Sequence, residues 1–144
     1  MRNRQRGFTL IEIMVVVVIL SVLGALVVPQ IIDKVDVAKV KRAQSDIRAI
    51  QTALDLYRLD NFKYPTTEQG LQALVKQPVD PTITNYNTNG YLKSLPKDPW
   101  GNVYQYTNPG SDGREYEITT FGRDGKQGGE GYDADISTAT LDQK

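Results

Sequence analysis

An apolar run near the N-terminus is the feature that most constrains this chain. From Phe8 to Val28 the only charged side chain is that of Glu12. A run of this length reaches the roughly 20 residues that an α-helix needs to cross a bilayer. The leader 1–7 carries three arginines, an excess of positive charge that keeps the adjacent end of a span in the cytoplasm. The pattern predicts a transmembrane helix over residues 8–29, with the N-terminus inside and the rest of the chain exported.

A removable signal peptide is the alternative explanation of this run, and two details disfavour it. Such a signal ends in a small-x-small cleavage site, whereas Val27-Val28-Pro29 leads into further helical pattern. A carboxylate inside an apolar span costs about 2.5–3.5 kcal/mol on insertion scales, so Glu12 is retained only where something compensates for its charge. A side chain that merely reaches the lipid headgroups is the other explanation for Glu12. Because both details disfavour a removable signal peptide, we predict that residues 8–29 stay in the mature protein.

A helical repeat continues beyond the apolar run. Apolar residues recur at spacings of 3 and 4 and so share one stripe of an α-helix: Val40, Ala43, Ile47, Ile50, Leu54 and Tyr57. We interpret this stripe as a core-packing face and predict one helix from Phe8 to about Phe62. Pro29 cannot donate a backbone hydrogen bond and Gly24 is a weak helix former, so a kink or local loosening is predicted at these two residues.

The rest of the chain is rich in turn residues and short alternating segments. Tyr64-Pro65 ends the long helix, and a short helix is predicted through residues 71–75. Alternation predicts strands at 103–106 and 116–121, which would form an antiparallel hairpin packed on the helical stripe. The predicted fold class is α+β: a long N-terminal α-helix, with a membrane half and an amphipathic half, packed on a small antiparallel β-sheet. The predicted parts are a leader 1–7, an apolar helix 8–29 and an exported globular domain 30–144.

Composition excludes several classes of function. The chain has no histidine and no cysteine, so it lacks imidazole bases, thiol nucleophiles, the usual zinc ligands and disulfides. Its 17 basic and 17 acidic side chains cancel, and no polybasic footprint for nucleic acid is visible. An acid hydrolase using Asp133 and Asp135 is one remaining hypothesis, but two carboxylates in a glycine-rich loop lack a rigid scaffold. A structural role without catalysis is the favoured interpretation.

The glycine-rich acidic segment 122–137 allows two interpretations. A segment this polar cannot order itself by burial, so it is either mobile or organised by a hard cation. It carries carboxylates at Asp124, Glu130, Asp133 and Asp135, and carboxylate oxygens are ligands that calcium prefers. The spacing does not fit an EF-hand loop, because the third and fifth positions counted from Asp124 are lysine and glycine. From the residues alone both interpretations remain open.

Several motifs resemble those of one protein family. The hexapeptide from Gly7 to Glu12, between a basic leader and an apolar helix, is similar to the signal of type IV pilins and pseudopilins. Three further segments resemble the major pseudopilins of the type II secretion system: residues 64–74, Asp98-Pro-Trp-Gly101 and Phe121-Gly-Arg-Asp-Gly125. An adhesive or motile type IV pilin is the alternative. Such pilins more often close their C-terminal region with a disulfide, which this chain has no cysteine to form.

The resemblance implies a mechanical function. A prepilin peptidase would cut between Gly7 and Phe8 and methylate the new amine of Phe8. Single-pass subunits in the inner membrane, in contact with its lipid, would then polymerise into a homopolymeric pseudopilus with minor pseudopilins, driven by an assembly platform and its ATPase. This periplasmic fibre would push folded exoproteins through an outer-membrane secretin. Within it, the carboxylate of Glu12 would face the N-terminal amine of a neighbouring subunit.

The resemblance also implies a structural calcium ion in the C-terminal loop. The expected ligands are the side chains of Asp124, Asp133 and Asp135, a backbone carbonyl near Phe121, and Ser137. Such an ion would fold the loop onto the domain so that it presents a subunit contact. A membrane-anchored calcium-binding module that never polymerises is a further alternative, which tolerance of Glu12→Ala would distinguish.

Overall fold

The computed structural model describes residues 7–142, without the side chains of residues 26–32. The chain divides into two compact units, Met1–Asp36 and Val37–Lys144. One α-helix, α1 (Leu10–Asn61), contributes residues to both units. The prediction of a single long helix from Phe8 to about Phe62 is therefore confirmed, with bounds that differ by two residues at the start and one at the end.

The described part of the first unit is the N-terminal part of α1 and the residues before it. Every large apolar side chain from Phe8 to Leu23 is at least half exposed, with Val16 the lowest at 50%. The helix is continuous through Gly24 and Pro29, and the kink predicted there stays a prediction. Within residues 7–142, no helix is both long enough and apolar enough to span a membrane. The transmembrane segment predicted at 8–29 also stays a prediction.

The second unit contains the remaining elements of secondary structure. In chain order they are a 3₁₀ turn at Leu71–Leu74, strand β1 (Gln105–Thr107), a 3₁₀ turn at Ser111–Gly113, strand β2 (Glu117–Thr120), a 3₁₀ turn at Gly131–Asp133, strand β3 (Ile136–Ser137) and helix α2 (Thr138–Leu141). The short helix predicted through 71–75 is thus a single 3₁₀ turn. Both predicted strands are present within about two residues of their predicted bounds.

The three strands form one antiparallel sheet in the order β1-β2-β3. Tyr106 on β1 is paired with Ile118 on β2, which confirms the predicted hairpin. On its other side, β2 pairs Thr120 with Ile136 of β3. The third strand lies inside the segment 122–137 for which the sequence predicts only a loop, and that part of the prediction is wrong. A strand of two residues is too short for alternation to reveal.

The hydrophobic core joins α1 to the sheet within the second unit. The predicted stripe is confirmed, because Ala43, Ile47, Ile50, Leu54 and Tyr57 are completely buried and Val40 packs against them partly buried. The sheet contributes Ile118 and Ile136, and the first 3₁₀ turn contributes Leu74. Burial of a side chain of this size stabilises the fold by about 1.5–3 kcal/mol, so this stripe fixes the position of α1 in the unit.

A buried carboxylate connects the turn 98–102 to the sheet. Asp98 is only 4% exposed, and its Oδ1 accepts the backbone N–H groups of Trp100 and Asn102, at 3.0 and 2.7 Å. Its Oδ2 accepts the hydroxyl of Thr120 on β2, at 2.5 Å. Three donors therefore satisfy a charge whose burial would otherwise be costly.

Candidate assembly and metal-binding sites

The first candidate site is the N-terminus of α1, where Thr9 and Glu12 cap each other. The backbone N–H and the hydroxyl of Thr9 donate to Oε2 of Glu12, at 2.8 and 2.9 Å. The N–H of Glu12 donates to Oγ1 of Thr9, at 3.4 Å. This reciprocal arrangement is a capping box, and it fixes the carboxylate of Glu12 at the first turn of the helix. The Thr9-x-x-Glu12 spacing carries this signal in the sequence, but the prediction for Glu12 rests on its charge and on the resemblance of residues 7–12 to the pilin signal, and not on the capping box.

An apolar recess surrounds this carboxylate. It has a volume of about 420 Å³ and is lined by Phe8, Ile11, Glu12, Ile13, Val15 and Val16. Glu12 is the only ionisable residue of the lining, and Phe8 at its edge is 83% exposed. The site therefore combines one negative charge with an open apolar surface. A positively charged group carried on an apolar segment is the complementary ligand.

The second candidate site is the C-terminal loop, and an ion pair fixes its course. Nε and Nη2 of Arg123 donate to Oδ1 and Oδ2 of Asp133, at 2.8 and 3.1 Å. The same arginine also donates its backbone N–H to the carbonyl of Tyr132, at 3.1 Å. The side-chain hydrogen bonds from Arg123 lower the pKa of Asp133 below its ordinary value. Arg123 belongs to one of the family motifs, but the sequence does not predict its pairing, because Asp133 lies ten residues away in a loop without periodicity.

The two other predicted carboxylate ligands are placed differently. Asp135 accepts the backbone N–H of Gly128 at Oδ2, at 3.0 Å. Its Oδ1 is buried and has no hydrogen-bond partner among the described residues. A buried carboxylate oxygen without a donor is costly, and a bound cation is one of the groups that can satisfy it. Asp124 is exposed and its Oδ1 accepts the N–H of Lys126, at 3.0 Å.

Ser137 serves as the cap of a helix that the sequence analysis did not predict. It is the N-cap of α2, and its Oγ accepts the N–H of Thr140, at 3.4 Å. The hydroxyl of Thr140 accepts the N–H of Ser137 in return, at 2.9 Å, which completes a second capping box. Phe121, whose carbonyl is a predicted ligand, is half-buried at the end of β2. The loop thus runs from the end of β2 to β3, and α2 follows β3 directly.

Two glycines let the loop fold closely over Asp133. Gly122 and Gly129 both have a positive φ, of 65° and 85°. A Cβ at Gly129 would lie 2.5 Å from the carbonyl oxygen of Asp133, and one at Gly122 would lie 2.8 Å from the same atom. Because no side chain fits at either distance, this crossing requires glycine at both positions.

The structure brings the predicted calcium ligands into one loop but does not assemble all of them around a common point. Within residues 7–142, no three acidic side chains converge as a group that could hold a metal ion. Asp133 is engaged by Arg123, while Asp135 presents the one buried carboxylate oxygen that lacks a donor in the described loop. Asp135 is the predicted ligand with an unsatisfied buried oxygen, and calcium binding stays a prediction.

Comparison with known proteins assigns the chain to a family. A family model described as "Type II secretion system (T2SS), protein G" matches residues 30–139. The chain belongs to the type II secretion system protein G family. A second model, the prokaryotic N-terminal methylation motif, matches residues 2–28, which include the capped N-terminus of α1. The protein G match includes the core, the sheet and the C-terminal loop.

Individual members of the protein G family are similar over nearly their whole length. A type II secretion system core protein G from Pseudomonas aeruginosa is 60% identical over 136 residues, covering 94% of this chain and 95% of the relative. The one from Vibrio cholerae is 53% identical, covering 93% of this chain and 91% of the relative. Among solved structures, the major pseudopilin of enterohaemorrhagic Escherichia coli matches with a TM-score of 0.66 at 46% identity, covering 75% of this chain and 88% of that one.

These similarities confirm the resemblance that the sequence motifs indicated. They favour a pseudopilin of the protein G family over an adhesive or motile type IV pilin. The family is one of structural secretion subunits rather than of enzymes, and it implies assembly into a pseudopilus with other secretion components. The N-terminal methylation motif is consistent with a membrane-associated subunit.

Proposed function

We propose that this chain is the major subunit of a type II secretion pseudopilus, anchored in the inner membrane by residues 8–29 with its globular unit in the periplasm. The observation that carries the proposal is the exposed apolar surface of the first unit, from Phe8 to Leu23. Such a surface is stable against lipid or against other apolar helices, but not in water. Lipid covers it before assembly, and the helices of neighbouring copies cover it in the fibre.

Processing creates the charge that complements Glu12. A prepilin peptidase hydrolyses the peptide bond between Gly7 and Phe8 and methylates the amine that hydrolysis releases on Phe8. In the fibre this positive amine enters the recess of a neighbouring copy and pairs with its Glu12 carboxylate. Each charge alone is costly in an apolar bundle, and together they offset one another. The capping box with Thr9 supports this role, since it holds the carboxylate at the end of the helix.

The fibre transmits force and performs no catalysis. An inner-membrane platform and its ATPase add subunits at the base, with minor pseudopilins as further components. The growing fibre drives folded exoproteins through the outer-membrane secretin. A type IV pilin for adhesion or motility has no supporting observation beyond the shared signal and helix.

The test replaces the chain by variants in a strain that carries its own secretion system. Glu12→Ala should abolish exoprotein secretion and fibre formation, because it leaves the Phe8 amine unpaired. Glu130→Ala, which removes an exposed carboxylate from the C-terminal loop, is the matched control and should secrete normally. Normal secretion by Glu12→Ala would refute the charge-pairing mechanism.

The leader is tested separately by Gly7→Val. Apart from its chain neighbours, no described residue has an atom within 4 Å of a Cβ built at Gly7, so the described part of the subunit has room for the substitution. We expect the uncleaved chain to accumulate, visible by mass spectrometry as retention of residues 1–7 and loss of methylation. Cleavage of Gly7→Val at the wild-type rate would show that the cut is made elsewhere.

The C-terminal loop binds a structural calcium ion in this proposal. Asp124 and Asp135 supply carboxylate oxygens, with the Phe121 carbonyl and Ser137 as further oxygen ligands, while Asp133 stays paired with Arg123. The unsatisfied buried Oδ1 of Asp135 supports this assignment. The ion offsets the negative charge of the loop and holds it against the end of β2.

Thermal unfolding of a fragment of residues 31–144, with calcium or with chelator, tests the ion directly. The fragment retains every residue of the hydrophobic core. Calcium at about 100 times its dissociation constant should add ~2.7 kcal/mol of stability, and Asp124→Ala and Asp135→Ala should remove this gain. Glu130→Ala should keep it. Identical melting curves in calcium and chelator would remove the metal from the proposal and leave the rest of it standing.

A further inference from the structure

The C-terminal end of α1 carries an exposed apolar anchor. Leu59 in the last turn is 72% exposed, and Phe62, immediately after the helix, is 84% exposed. Both lie in the second unit, which has a complete core of its own that includes neither side chain. These two residues are called the anchor below.

The backbone of Phe62 is unfavourable for the residue it carries. Its φ of 60° lies in the left-handed region, and its N–H closes the helix by donating to the carbonyl of Arg58, at 2.7 Å. Glycine is the usual residue at this position, because any Cβ is crowded there. A bulky aromatic residue in this conformation, with its ring left in water, is disfavoured on two counts. Such local strain points to a function outside the isolated fold.

A cavity of matching size and chemistry lies elsewhere on the same unit. It has a volume of about 200 Å³, and its lining includes Ile50, Leu71, Leu95, Val103 and Tyr104. Ile50, Leu71 and Tyr104 are buried, whereas Val103 is 62% exposed. An apolar cavity of roughly 150 Å³ is known to hold a benzene molecule, so this one is large enough for a phenylalanine ring.

The anchor cannot fill the cavity of its own chain. Phe62 follows Ile50 by 12 residues, which along an α-helix corresponds to roughly 18 Å. This distance exceeds the reach of a phenylalanine side chain. An anchor and a cavity on separate parts of one surface produce a head-to-tail contact, and such contacts build open filaments when the rotation between copies does not close a ring.

Charges around the two features are complementary. Lys97 lines the cavity and forms no ion pair within the described residues. Asp60 adjoins Leu59 in the anchor. The two cations nearest the anchor in sequence are already neutralised, because Arg58 pairs with Glu115 and Lys63 pairs with Asp80. Asp60 therefore leaves one negative charge beside the anchor, and Lys97 places one positive charge at the cavity.

We propose that Phe62 of one copy inserts into the Ile50–Leu71–Val103 cavity of a second copy of this chain. The contact rests on the proposed function, since it joins neighbouring subunits of the pseudopilus. Burial of the ring compensates for the backbone strain at Phe62, which the isolated chain carries without benefit.

Disulfide trapping tests this contact in the full chain, expressed with its own secretion system. The chain has no cysteine, so every thiol is introduced. The double variant Phe62→Cys/Val103→Cys should form a ladder of covalent oligomers on oxidation, because each copy links to two neighbours. Each single variant should form dimers at most. Phe62→Cys/Asp112→Cys is the matched control, since Asp112 is exposed on the turn between β1 and β2, and it should give no ladder.

The outcomes separate this contact from the proposed function. Fibres visible by electron microscopy with no 62–103 ladder would overturn the contact and leave the pseudopilus assignment intact. Failure of the wild-type chain to form any fibre would overturn both. As an independent measurement, Phe62→Gly should raise the melting temperature of the full chain by relieving strain and should lower the yield of fibres. A lower melting temperature, or an unchanged fibre yield, would contradict the proposal.

Discussion

Replacement of Asp98 tests how the second unit is held together. Its carboxylate is buried and accepts three hydrogen bonds, two from the turn that follows it and one from Thr120 on β2. Asp98→Ala removes the acceptor of all three donors at once. The hydroxyl of Thr120 suffers most, because that residue is only 1% exposed and water cannot replace the lost partner.

The expected cost follows from these contacts. A hydrogen bond to a charged group contributes about 1.5–3 kcal/mol, and an unsatisfied buried donor costs ~1–3 kcal/mol. The amides of Trp100 and Asn102 recover part of their loss, because both residues are more exposed than Thr120 and water can bind them. We therefore expect Asp98→Ala to lower the free energy of unfolding by about 3–5 kcal/mol. Asp98→Asn keeps one acceptor oxygen for the two amides and should cost about 1–2 kcal/mol.

Urea unfolding of the 31–144 fragment measures these values. Trp100 is the only tryptophan and reports on the turn by fluorescence, while circular dichroism reports on α1. Thr120→Val supplies a double-mutant cycle, because it replaces the buried hydroxyl with an apolar group of similar shape. The cycle with Asp98→Ala should give a coupling energy of about 1–2 kcal/mol. A cost below about 1 kcal/mol for Asp98→Ala, or no coupling to Thr120, would refute the assignment of this carboxylate as a structural tie.

Three further predictions concern other parts of the chain. Burial raises the pKa of Tyr57 to about 12, so the folded state keeps a proton that the unfolded state loses near pH 10. The free energy of unfolding should therefore be unchanged below pH ~10 and fall towards pH ~12. Tyr57→Phe should reduce this decline in urea unfolding measured across that pH range. Gly129→Ala should destabilise the C-terminal loop more than Gly128→Ala in thermal unfolding, because both positions have a positive φ but only Gly129 meets the Asp133 backbone, within 2.5 Å. A Cβ at Gly24 meets no atom of the described residues outside the helix's own backbone, and Gly24→Ala raises helix propensity by about 1 kcal/mol. It should therefore leave processing unchanged but reduce fibre yield if assembly requires α1 to loosen there. A normal fibre yield would exclude that requirement.

Elements with a repeated pattern were predictable from the sequence, and isolated ones were not. The stripe that includes Ile47, Ile50 and Leu54 repeats over several helical turns, and each repeat adds to the signal. Strand β3 has two residues and α2 has four, so neither is long enough to repeat its own pattern. The hairpin of β1 and β2 lies between these cases, and its position was predicted within about two residues.

In the candidate sites, contacts between residues close in sequence could be predicted, and contacts between distant residues could not. The Thr9-x-x-Glu12 capping box is local, and its two members lie three positions apart. The Arg123–Asp133 pair joins residues 10 positions apart across the C-terminal loop, and the Asp98–Thr120 hydrogen bond joins residues 22 positions apart across the β1–β2 hairpin. No sequence periodicity relates the members of either pair, because the path of the chain between them decides which side chains meet. The sequence therefore predicts that the polar loop is either mobile or organised by a cation, whereas in the structure its own Arg123 supplies a positive partner to Asp133.

The stability of the second unit and the assembly of the fibre depend on different residues of this chain. Substitutions can therefore test the structural prediction for Asp98 and the assembly proposal for Glu12 separately. Every residue of the hydrophobic core lies in the second unit, so Asp98→Ala should change unfolding in a fragment that cannot assemble. The first unit exposes its apolar side chains, so Glu12→Ala should change assembly without changing the stability of that fragment. Phe62 is the exception, because it belongs to the second unit but contributes nothing to its core. Within the second unit, a substitution of Phe62 should therefore move the two quantities in opposite directions, with stability rising as assembly falls.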